Sequence, residues 1–64
     1  MPRPTIAQAI AYVTALEIQW QQRAPRILSI APGSEDENLY WDVVTEFGHW
    51  VVWLEDNGRV YGEC

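Results

Sequence analysis

Asp42, Glu46 and His49 are the residues of this chain whose types and spacing could support chemistry. If Phe47 and Gly48 form a two-residue turn between two strands, Glu46 sits directly across from His49 and Asp42 shares their face. A carboxylate beside an imidazole can orient and charge it for acid–base work. The same arrangement is also an ordinary cross-strand charged pair beside a turn. The second reading is favoured, because no nucleophile or oxyanion donor accompanies the pair. Cys64 falls on the same face in this register, but at a terminus prone to fray. The "SEDE" run places Glu35, Asp36 and Glu37 in an acidic loop that could attract a hard cation, yet it lacks the alternating ligands, central glycine and distal glutamate of a calcium loop. One histidine and one cysteine are too few for a four-ligand zinc site. The expectation is therefore no catalytic residue, no metal, no cofactor and no enzymatic activity.

Residues of this kind must be positioned by a small scaffold. Sixty-four residues make one domain, residues 1–64, near the lower size limit for folding alone. A single cysteine excludes an internal disulfide, which leaves oligomerisation or a bound partner as the remaining aid to stability. The net charge of −5 is uneven: residues 1–26 carry +2 and residues 27–64 carry −7, with no lysine anywhere. A phosphate-binding surface needs clustered lysine and arginine, so direct nucleic-acid binding is not expected. An acidic field favours basic partners. No apolar run resembles a signal peptide or approaches the roughly 20 residues of a membrane span. With one unpaired thiol, the expected compartment is the cytoplasm.

The elements follow from periodicity. Thr5 with Gln8 reads as a capping box, and behind it Ile6, Ala9, Ile10, Val13, Leu16 and Trp20 form an apolar helical stripe that should end by Ala24, before Pro25. Glu17 lies on its flank and is expected to reach water or an arginine. Arg26–Ala31, Leu39–Glu46, His49–Glu55 and Val60–Glu63 read as strands. Asn57-Gly58 suits a two-residue type I′ hairpin turn. The fold class is α+β: one N-terminal helix on a three- to four-stranded antiparallel meander, in the order α-β-β-β-β.

The stretch "HWVVWLE" is apolar on both sides of its strand, and one helix can cover only one. In the register above, Thr45, Val43 and Trp41 oppose Trp50, Val52 and Leu54, with Tyr61 beside Leu54, and this face packs under the helix. The other face presents Tyr40, Asp42, Val44, Glu46, His49, Val51, Trp53, Glu55 and Val60. Gly62 lies opposite Trp53, leaving room for the indole. Trp20, Trp41 and Trp50 have core positions, whereas Trp53 does not. A large flat ring in a contiguous apolar patch marks an interaction surface.

In the order of its elements, the chain resembles a PepSY-type half-domain. The matching stretches are "IAQAIA" (Ile6–Ala11), the pair "LYWDVVTE" and "HWVVWLE", and "EDNGRVYGE" (Glu55–Glu63). The resemblance implies an inhibitory or regulatory module associated with proteases. Small acidic phage inhibitors, including anti-CRISPR proteins, are similar in size and charge. The expected function is that of a non-catalytic regulator or inhibitor that binds a basic or mixed apolar protein surface through the outer sheet face, with a weak homodimer when no partner is present. The alternative is an acidic nucleic-acid mimic that uses Glu35, Asp36, Glu37 and Asp56 to occupy a groove on a nucleic-acid-binding enzyme.

Overall fold

The computed structural model describes residues 3–33 and 39–64. One helix, α1 (Ile6–Gln21), is followed by β1 (Ile27–Pro32), β2 (Tyr40–Thr45), β3 (Gly48–Leu54) and β4 (Val60–Glu63). The strands form a single antiparallel sheet in the order β1-β2-β3-β4. The α-β-β-β-β meander is thus the fold of the chain. Among the described residues no helix is long and apolar enough to cross a membrane.

Local chemistry sets the ends of α1. The Gln8 backbone N–H donates to Thr5 Oγ1 at 3.0 Å, and the Thr5 N–H donates to Gln8 Oε1 at 2.8 Å, the reciprocal capping box that the spacing predicts. At the other end Gln22 turns left-handed (φ 67°) and its N–H caps the carbonyl of Ile18 at 2.9 Å.

Trp50 is the centre of the core. The ring is buried, stacked on Trp20 with centroids 5.6 Å apart, and met edge-on by Tyr12 at 6.3 Å. Ala9, Val13, Val43 and Val52 complete the fully buried apolar cluster. The helical stripe differs in detail from the one the spacing predicts. Ile6 remains exposed, Ile10 is half-buried, and Trp20, expected in the core, is 55 % exposed at its rim, while Tyr12 and Glu17 are drawn inward. Each finds a polar partner on the sheet: Tyr12 Oη donates to the Gly62 carbonyl at 3.3 Å, and Glu17 Oε1 accepts from Trp50 Nε1–H at 2.7 Å. Glu17 is only 3 % exposed, so the expectation of a solvated flank residue is corrected. A buried indole N–H left without an acceptor costs about 1–3 kcal/mol, which explains why a carboxyl occupies this core position.

Two strand registers also differ from expectation. In the β2–β3 hairpin Thr45 pairs with Gly48, Val43 with Trp50 and Trp41 with Val52, so Glu46-Phe47, and not Phe47-Gly48, forms the turn. Thr45 Oγ1 accepts from the Phe47 N–H at 3.0 Å, and Glu46 and Phe47 both keep negative φ, while Gly48 takes φ 152°. Such a turn favours glycine at its last position. The slip is two residues, an even number, so every side chain of β2 and β3 keeps its face.

The β3–β4 slip is one residue, and its consequence is larger. Leu54 pairs with Val60, Val52 with Gly62 and Trp53 with Tyr61. The loop between the paired Glu55 and Arg59 holds three residues, Asp56-Asn57-Gly58. The Gly58 N–H donates to the Glu55 carbonyl at 2.8 Å, and Gly58 has φ 83°. This is the three-residue hairpin in which glycine takes the left-handed position. A one-residue shift exchanges the two faces of a strand. Val60 and Gly62 therefore lie under the helix, and Tyr61 and Glu63 face outward.

Candidate interaction face

The face of the sheet opposite α1 is built from β2, β3 and β4. The alternation of extended backbone sends Tyr40, Asp42 and Val44 outward from β2, His49, Val51 and Trp53 from β3, and Tyr61 and Glu63 from β4. Strand pairing then arranges them in rows. Tyr40, Trp53 and Tyr61 stand directly across from one another on three neighbouring strands. Asp42, Val51 and Glu63 make the next row, and Val44 with His49 the one after. Tyr61 is 40 % exposed, and Tyr40, Val44, Val51 and Trp53 are half-buried by their neighbours within the sheet.

Each outward residue has a definable local setting. The Tyr40 ring lies over Gly33: a Cβ on Gly33 would stand 2.1 Å from Tyr40 Cε2, so only glycine admits the ring there. Trp53 Nε1–H donates to the Glu55 carboxylate, which holds that acid at the edge of the indole. His49 Nε2 lies 3.3 Å from Asp42 Oδ1, a diagonal contact between strands.

Of the residues expected on this face, Tyr40, Asp42, Val44, His49, Val51 and Trp53 are brought together there. Glu55 adjoins them through Trp53. Val60 is corrected: it packs against the core on the helix side. Glu46 is corrected as well. It occupies the β2–β3 turn, where Arg23 Nη1 and Nη2 donate to its two oxygens at 2.9 and 3.1 Å and the Arg26 N–H adds a third bond at 2.8 Å. The guanidinium of Arg23 also lies 4.6 Å over the Phe47 ring. The Arg23 fork, helped by the Arg26 N–H, holds the Glu46 carboxyl below the usual carboxylate range, and Glu46 in turn raises the Arg23 pKa. The Glu46–His49 pairing that could have supported acid–base work is absent. Cys64 is exposed beyond the end of β4, and continued alternation sends it to the helix side, away from His49. Glu35, Asp36 and Glu37 lie outside the described residues.

Tyr61 and Glu63 were missed on this face because their placement depends on the length of the last hairpin loop. Asp56-Asn57-Gly58 contains the signal for either loop, since Asn-Gly suits a two-residue turn and a third-position glycine suits a three-residue one. Gly62 separates the two possibilities. In the observed register its missing side chain leaves room for the Tyr12 ring, whose Cε2 would stand 3.0 Å from a Cβ at that position.

Among the described residues, no group of three or more histidine, cysteine, aspartate or glutamate side chains is placed to hold a metal ion. No family model matches the chain, and comparison with curated proteins and with solved structures finds no match.

Proposed function

We propose that this chain is a non-catalytic protein-interaction module, a small regulator or inhibitor that works by laying the outer face of its sheet on a protein partner. The observation that carries this reading is the aromatic row Tyr40–Trp53–Tyr61 with Val44 and Val51 beside it, on the face of the sheet that α1 does not cover. Connected apolar surface of this kind in a small domain usually marks a binding site, and tryptophan and tyrosine are the residues that most often dominate interface energetics. Asp42, Glu55 and Glu63 at its margins favour a basic or mixed partner. Among the described residues, the His49–Asp42 contact has no nucleophile beside it, which supports a binding role over a catalytic one.

The test is recovery of a partner from the native host with wild-type protein and with Trp53→Glu, followed by reconstitution with the purified partner. The reading requires that Trp53→Glu remain folded and lose at least tenfold in affinity. Equal binding by the variant would overturn it. Affinity that persists in Trp53→Glu but collapses as salt is raised would instead point to mimicry of a nucleic acid by exposed acids.

A further inference from the structure

We infer that the partner engages this face through arginine, with a guanidinium lying on the Trp53–Tyr61 part of the aromatic row and forked onto Glu63. The inference rests on the proposed interaction function and specifies its chemistry.

Three observations carry it. The first is composition of the face. Its acidic groups in the described residues are Asp42, Glu63 and the adjoining Glu55, and its two potential cations sit beside two of these acids: His49 contacts Asp42, and Arg59 stands across the last hairpin from Glu55. Arg23 is engaged at the β2–β3 turn, and Arg3 lies 4.2 Å over the Trp41 ring. Arg59 and Glu63 flank Tyr61 on opposite sides along the strand, so Glu63 is the acid of the face that keeps no cationic partner among the described residues.

The second is spacing. Glu63 is two residues from Tyr61 on the same side of β4, and it sits diagonally from Trp53, because Val51 pairs with Glu63 while Trp53 pairs with Tyr61. Same-face residues two apart on a strand are roughly 7 Å from each other. That gap admits a flat guanidinium that stacks on a ring and reaches the carboxylate with its edge. Glu63 is exposed and makes no hydrogen bond or ion pair among the described residues.

The third is that the chain already uses this combination within itself. Arg23 lies over Phe47 and forks onto Glu46 with bonds of 2.9 and 3.1 Å. Ring face plus adjacent carboxylate selects arginine over lysine for a geometric reason: the guanidinium is planar and offers paired parallel donors, whereas an ammonium is a compact, strongly hydrated point charge. Trp53, Tyr61 and Glu63 repeat the ring and the carboxylate on the outer face, and among the described residues no arginine lies over either ring.

The probes are a nona-arginine peptide and a matched nona-lysine peptide, titrated into the full chain and followed by the NMR signals of the Trp53 indole N–H and the Tyr61 ring. The arginine peptide is expected to shift both signals and to bind roughly fivefold more tightly than the lysine peptide. Trp53→Leu and the surface variant Glu63→Gln should each abolish that preference. A triple variant of the acidic loop, Glu35→Gln, Asp36→Asn and Glu37→Gln, should retain it. Equal affinity for the two peptides, or loss of the arginine preference in the loop variant alone, would overturn the inference. Overturned in that way while Trp53→Glu still abolishes binding of the native partner, the face would remain the interaction surface with a different chemistry. Unchanged binding of the native partner by Trp53→Glu would sink the underlying reading and this inference with it.

Discussion

Glu17 and Glu46 are both glutamates near the helix, and their surroundings give them opposite roles. Glu17 is buried, with Oε1 accepting from the Trp50 indole and Oε2 without a partner among the described residues. Truncation by Glu17→Ala orphans that N–H and opens a void beside the central ring, so a loss of about 2–4 kcal/mol is expected in urea unfolding. Glu17→Gln keeps an acceptor and should lose far less. Equal losses for the two variants would show that the hydrogen bond to Trp50 contributes nothing. Glu46, by contrast, is an exposed clamp between the segment after α1 and the β2–β3 turn. Its folded pKa is depressed, chiefly by Arg23. The stability it contributes is therefore present above the unfolded carboxylate value, about 4.3, and is lost as pH falls through the lower folded value. Glu46→Gln should flatten the stability profile in that acid window and leave its shape near neutrality unchanged. An identical acid profile for wild type and variant would count against the clamp.

At the scale of elements, the last hairpin decides which residues the molecule shows to a partner. Gly62 is held between β3 and α1, where a Cβ would stand 2.9 Å from the Val51 carbonyl oxygen and 3.0 Å from the Tyr12 ring. Backbone cannot move aside as a flexible side chain can, so Gly62→Ala should destabilise the domain by about 1–3 kcal/mol, read from the shift in denaturant midpoint. A neutral Gly62→Ala would mean that Gly62 faces outward and that the observed register is wrong. The edge strand β1 uses a different device. Ile27 pairs with Thr45 and Ile30 with Val43, an odd separation that would normally send the two isoleucines to opposite faces. A bulge between Ile27 and Ser29 takes up the extra residue, so both pack against the core. Bulges and proline, here Pro32, also blunt a sheet edge against unwanted pairing.

The whole molecule is a two-layer structure in which one layer covers half of the other. A chain this short buries a thin core, and the uncovered half of the sheet is where added burial can come from. A second copy laid face to face about a two-fold axis would cover the aromatic row, but Asp42 and Glu63 would then face like charges. Self-association is therefore expected to be weak, with dimer appearing only at high concentration, and tighter as salt screens the repulsion. Sedimentation of wild type and Trp53→Glu across a wide concentration range checks this. A wild type that dimerises no more readily than Trp53→Glu would remove the outer face from any self-contact.

Hydrophobic periodicity and cap chemistry in the sequence were enough to determine the helix, its capping box, four strands in order and the faces of β2 and β3. Those features are local, or they survive a register slip of two because side chains alternate with a period of two. The outward placement of Tyr40, Asp42, Val44, His49, Val51 and Trp53 was legible for that reason. What the tertiary structure alone decided turns on odd-numbered shifts and on distant partners. Asp56-Asn57-Gly58 admits two loop lengths, and only the fit of Gly62 beneath Tyr12 selects the one that turns Val60 inward and Tyr61 and Glu63 outward. Glu17 reads as a surface acid until Trp50, thirty-three positions away, supplies a buried donor for one of its oxygens. Glu46 reads as a partner of His49 until the chain after α1 brings Arg23 to the turn. In each case a polar group or a glycine was matched to something far along the chain, and no local pattern in the sequence encodes that match.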